Sequence, residues 1–133
     1  MATVQITQDS FTETIEADGI VLLDFWASWC APCRMFGPVF EAASEKNSDI
    51  VFGKIDTEAE AGLAGALDIQ AIPTLMAFRD GVLVYRNAGA MNAKGLDQLI
   101  EAVRSEELGQ QVAEAKAQAA AAPEPEKADA AAE

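Results

Sequence analysis

The chain has 133 residues, about half of them hydrophobic, which suits one ordinary domain with a real core. Lys and Arg number 9 against 22 Asp and Glu, a formal net charge of −13. That excess makes the chain a poor candidate for reading phosphate backbones or anionic membranes through clustered cations, so neither a nucleic acid nor a membrane is expected as a partner. Solubility is the simplest reading of the acidity.

Thr3 to Thr7 alternates weakly, as a short edge strand would. Asp9 and Ser10 can start a helix, Phe11 and Ile15 share one face of it, and Asp18-Gly19 ends it. Ile20 to Trp26 is almost continuously apolar and reads as a strand buried on both faces, with Asp24 as the exception that needs a reason. Two cysteines follow, Cys30 and Cys33, the only two in the chain. Pro32 can open a helix running to about Lys46, with Phe36, Val39, Phe40 and Ala43 on its apolar side and a kink expected at Pro38.

Ile50 to Asp56 reads as a second buried strand and Glu58 to Leu67 as a short helix. Ile69 to Pro73 is a loop leading into a strand over Thr74 to Phe78. Asp80-Gly81 marks a hairpin to Val82–Tyr85, and Ala88-Gly89-Ala90 is a small-residue turn. Leu96, Leu99, Ile100 and Val103 define an amphipathic last helix. Helices between strands imply a parallel core covered on both faces, and the hairpin makes the sheet mixed.

The composition changes at Ser105. Residues 106–133 carry 7 acids and 2 bases, are dominated by Ala, and include Pro123-Glu124-Pro125-Glu126. High helix propensity without a wide apolar stripe predicts a fraying helix, then disorder from about Ala121. The domain is therefore expected over 1–105, with an acidic tail beyond it.

The cysteine pair admits three readings. A stapling disulfide across so short a loop removes little chain entropy. A structural zinc site wants four Cys or His ligands, and the chain has two Cys and no His, so no metal is expected. Redox exchange needs a reachable, easily ionised thiol, and the helix start near Pro32 favours a thiolate at Cys30. Cys33, one turn later, is placed to attack the mixed disulfide that Cys30 forms. The N-terminus has neither the basic residues nor the apolar stretch of a signal peptide, and a cytoplasmic location is expected.

Trp26-Ala27-Ser28-Trp29-Cys30-Ala31-Pro32-Cys33, with Asp24 before it and Ile72-Pro73-Thr74 after it, resembles the thioredoxin family over about Val4 to Arg104. The resemblance implies an α/β thioredoxin fold, a central mixed five-stranded sheet flanked by four helices. It implies a protein-disulfide reductase in which Cys30 attacks and Cys33 resolves, closing a redox-active Cys30–Cys33 disulfide. Asp24 would be a buried general base for Cys33, with Lys54 beside it. Pro73 would be a cis proline opposite the pair. Trp29, Ala31, Pro32, Ile72, Pro73, Gly89 and Ala90 would form the client-binding groove. Trp26 and Phe25 fit the core better than a direct role.

No cofactor would be bound. Electrons would come from NADPH through a separate flavoprotein, thioredoxin reductase, and go to oxidised client proteins, with the chain acting as a monomer. Ala31 stands where most of the family has Gly, which leaves the redox potential open, and Arg34 replaces the more usual Lys. Two other functions fit parts of the pattern. An oxidant or isomerase of the secretory route conflicts with the N-terminus. A thiol-independent binding module or holdase chaperone would use the apolar groove and the tail.

Overall fold

The computed structural model describes residues 2–121. Five strands, β1 (Thr3–Gln5), β2 (Ile20–Trp26), β3 (Val51–Asp56), β4 (Thr74–Arg79) and β5 (Val82–Ala88), form one sheet in the order β1-β3-β2-β4-β5. The pairs β1–β3 and β2–β3 are parallel, while β2–β4 and β4–β5 are antiparallel, so the sheet is mixed as the pattern of elements requires.

Strand β2 is central. Its alternation splits the core in two. Leu22 faces a cluster with Phe36 and Phe40 of helix α2 (Ala31–Lys46) and with Leu96, Ile100 and Val103 of α4 (Ala93–Arg104). Val21, Leu23 and Phe25 face the other way, onto Phe11 of α1 (Gln8–Glu16) and Leu63 of α3 (Ala61–Ala66). Burial on both faces explains the near-continuous apolar run in β2.

Several boundaries differ from the expectation for local reasons. Helix α1 starts at Gln8, one residue ahead of Asp9, because Thr7 is its N-cap and the Thr7 amide donates to Ser10 Oγ at 3.0 Å. Helix α3 begins at Ala61 rather than Glu58, because the Asp56 carboxylate accepts from the Glu58 amide at 2.9 Å and holds residues 57–60 in a turn. Strand β5 runs to Ala88, not Tyr85, since its last residues pair with the start of β4, Thr74 opposite Ala88. Helix α2 is continuous through Pro38.

Beyond Ser105 a fifth helix, α5 (Glu106–Ala121), turns off the end of α4. Ser105 Oγ accepts from the Leu108 amide at 3.1 Å, and one guanidinium nitrogen of Arg79 donates to the carbonyls of Val103 and Ser105 at 2.8 and 2.7 Å. Gly109 lies against that guanidinium, where a Cβ would come within 2.5 Å of Arg79 Nη2. Val112 is buried and Leu108 packs on the α2–α4 cluster. Two apolar residues one turn apart thus anchor a helix that lacks a wide stripe. The disorder expected from about Ala121 concerns residues outside those described.

Ending the chain at Ser105 should lower the free energy of unfolding by about 2 kcal/mol, the scale of exposing Leu108 and Val112. Urea denaturation of the two forms measures it, and coincident curves would mean that α5 does not stabilise the domain.

Candidate functional site

Cys30 is the N-cap of α2, with the extended backbone of that position, and the Cys33 amide points at its sulfur, 3.2 Å away. Pro32 occupies the first turn, where a missing N–H breaks no helical bond. The two cysteines are joined as a disulfide, with Cα atoms 5.2 Å apart. Both are nearly buried, clustered with Ala27, Trp26 and Ile72. Unpaired amides at the start of α2 favour negative charge on Cys30 when the pair is reduced.

The second half of the site comes from the loop before β4. The Ile72–Pro73 peptide bond is cis. The Ile72 carbonyl oxygen lies 3.7 Å from Cys30 Sγ, and the Pro73 carbonyl accepts from the Gly89 amide at 2.7 Å. Gly89 has a φ of +117°, a backbone conformation that suits glycine as the chain leaves β5.

Asp24 lies on the same side of β2 as Leu22 and Trp26. It is fully buried, and neither carboxylate oxygen has a hydrogen-bond partner among the described residues. Burial pushes its pKa from 3.8 up to about 7, against the opposing pull of the Lys54 ammonium. Lys54 is the residue opposite it in the β2–β3 ladder. Its Nζ lies 5.2 Å from the centre of the Trp26 ring. A cavity of about 450 Å³ opens here, lined by Trp26, Cys33, Lys54, Gly37 and Glu41, among others.

A family model described as thioredoxin matches residues 2–102. The chain belongs to the thioredoxin family. It is 46% identical to a putative thioredoxin 2 of Streptomyces coelicolor, over 89% of this chain and 90% of that one. It is 44% identical to a thioredoxin of Mycolicibacterium smegmatis, over 71% of this chain and 88% of that one. Among solved structures, Malassezia sympodialis thioredoxin superposes with a TM-score of 0.67 at 33% identity, covering 74% of this chain and 88% of that one. Since 89% of 133 residues is about 118, the Streptomyces match runs past Ser105 into α5.

The protein is thus a protein-disulfide oxidoreductase with Cys30–Cys33 as its redox couple. Thioredoxins require no bound cofactor and work with a thioredoxin reductase and client proteins. Among the described residues no group of His, Cys, Asp and Glu is arranged to hold a metal, and no helix is long and apolar enough to cross a membrane.

Five of the seven residues expected to line the client groove fall into two sets. Ile72 and Pro73 lie by the sulfurs. Ala31, Pro32 and Ala90 line a more apolar cavity of about 440 Å³ together with Met35, Phe36, Val39 and Met91. The expectation omits these last four, although Met35 and Val39 lie one helical turn apart on α2 and Met91 directly follows the small-residue turn. Trp29 is 64% exposed and its indole N–H donates to the Glu58 carboxylate, a pairing that nothing in the local pattern announces. Trp26 does more than fill the core, since its ring carries the Lys54 ammonium.

The raised pKa of Asp24 has a consequence for stability. The unfolded chain ionises this carboxyl near pH 4, the folded chain only near 7. Its contribution is therefore fully present below about pH 4 and is lost as the pH rises through about 7. The oxidised parent should lose up to about 4 kcal/mol relative to Asp24→Asn between pH 4 and pH 8. Denaturant unfolding at a series of pH values reads this, and parallel pH curves for the two proteins would contradict the desolvation of Asp24.

Proposed function

We propose that the protein is a cytoplasmic, monomeric thioredoxin that reduces client disulfides with electrons drawn from NADPH through a separate flavoprotein reductase. The observation that carries the residue roles is the asymmetry of the pair. Cys30 caps α2 beside the Ile72 carbonyl, whereas Cys33 lies within α2 on the cavity that Lys54 also lines.

The Cys30 thiolate attacks one sulfur of the client disulfide. A Cys30–client bond forms, the client's own bond breaks, and the first client thiolate leaves and takes up a proton. Asp24 then accepts the Cys33 proton through water, and the Cys33 thiolate attacks Cys30 Sγ. The Cys30–Cys33 bond forms as the Cys30–client bond breaks, releasing the second client thiolate, which takes up a proton in its turn. The client has gained two electrons and two protons, and the reductase returns two electrons to the pair. The Lys54 ammonium lowers the Asp24 pKa against the effect of burial.

The client chain pairs with the backbone at Ile72, ahead of the cis Pro73, as an added strand. Trp29, Ala31, Pro32, Gly89 and Ala90 flank it, and the small residues at 89 and 90 admit its backbone. Residues 1–105 carry this activity, and the acidic segment 106–133 is an appendage to it.

The assay is insulin reduction under a thiol reductant supply. The parent should accelerate precipitation of the insulin chains, Cys30→Ser should abolish the acceleration, and Cys33→Ser should accumulate a covalent complex through Cys30. No acceleration over the reductant alone would overturn the assignment. Trapping by Cys30→Ser in place of Cys33→Ser would reverse the two cysteine roles.

A further inference from the structure

Lys54 emerges from β3 directly opposite Asp24, and a lysine side chain has several rotatable bonds with which to leave that position for solvent. What lies against its ammonium is the Trp26 indole face, 5.2 Å from Nζ to ring centre. The helix also comes close at Gly37, where a Cβ would stand 3.7 Å from Nζ. The Glu41 carboxylate on the same cavity is already engaged by the N-terminal segment, accepting from Thr3 Oγ1 at 2.8 Å and from the Ala2 amide at 3.1 Å. The ring therefore is the contact that fixes the ammonium on the wall it shares with Cys33.

We infer that Trp26 is a positioning residue for thiol–disulfide exchange: its indole face holds the Lys54 ammonium beside the buried Asp24 carboxyl and so governs how readily that carboxyl gains and loses a proton. A cation over an indole face is held by the ring's negative quadrupole, most strongly where water is scarce. Other charged and titratable groups on this side are Asp56 from β3 and Cys33, Arg34 and Glu41 from α2, while β4 places the apolar Leu75 opposite Asp24. Lys54 is the cation whose charge acts on Asp24, lowering its pKa against the effect of burial. Releasing Lys54 to solvent moves the Asp24 midpoint upward, in the direction that removing the charge would move it.

The inference builds on Asp24 as the proton acceptor, yet its readout is the Asp24 titration itself. Failure of Asp24→Asn to slow resolution would defeat the acceptor role and the link to exchange, and would leave standing the hold of Trp26 on Lys54 and its effect on the Asp24 proton. The test follows the Asp24 carboxyl carbon by NMR against pH in oxidised full-length protein. Trp26→Leu should raise the midpoint by about half a pH unit or more. Trp26→Phe, which keeps an aromatic face, should stay closer to the parent, and Lys54→Met should shift upward at least as far as Trp26→Leu. In the Lys54→Met background Trp26→Leu should add nothing.

An unmoved midpoint in Trp26→Leu, an equal shift in Trp26→Phe, or an undiminished shift in the Lys54→Met background would each overturn the inference. Should Trp26→Leu fail to fold, the parent still decides it. The Lys54 ε-methylene protons should show an upfield ring-current shift, and random-coil values there would overturn it.

Discussion

A carboxyl in the middle of a central strand is costly to ionise, and the rest of the site depends on that cost. Asp24 has β3 on one side and β4 on the other, is closed off from solvent, and meets no hydrogen-bond donor among the described residues. An apolar residue would fit the strand better, as Leu22 does one pleat earlier. What an apolar residue cannot do is exchange a proton near neutral pH. Desolvation raises the Asp24 pKa, the Lys54 ammonium lowers it, and the balance lies at about 7. The opposition of burial and one ammonium sets the working range.

The different roles proposed for the two sulfurs rest on one piece of backbone. At the N-cap, Cys30 is outside the helix yet within reach of its free amides. Three residues later, Cys33 is inside the first turn with its own amide turned toward Cys30. The loop of Ile72 and Pro73 supplies the opposite wall, fixed by the Gly89 amide. This second wall is remote in sequence but adjacent in space, because β4 pairs directly with β2, the strand that leads to the cysteines. The sheet order thus assembles the site, and the helices on both faces hold that order.

Much of this was legible in the sequence because the signals are local and strong. The run Ile20–Trp26 gave the central strand to the residue, and the spacing of the cysteines with Pro32 gave the redox pair and the start of its helix. Less was legible where long-range contacts decide. Two apolar residues, Leu108 and Val112, are too few to make a stripe, yet with Arg79 and Gly109 they dock α5. Helix α3 is shorter than its composition suggests, since a side-chain bond from Asp56 competes with the first turn. Trp26 looked like core because a cation over its ring needs a partner from another strand, and neither periodicity nor motif spacing encodes that. The same holds for Met35 and Met91, which meet only after α2 and the segment after β5 come together.

The claim at the centre of the account is that the buried carboxyl receives the Cys33 proton. The most direct measurement is the pH–rate profile for release of client from the Cys30 mixed disulfide, in the parent and in Asp24→Asn. The parent's rate should rise with a midpoint near 7, where Asp24 becomes a base, and the Asn variant should be slower and lack that limb. The same midpoint near 7 in both proteins would contradict it.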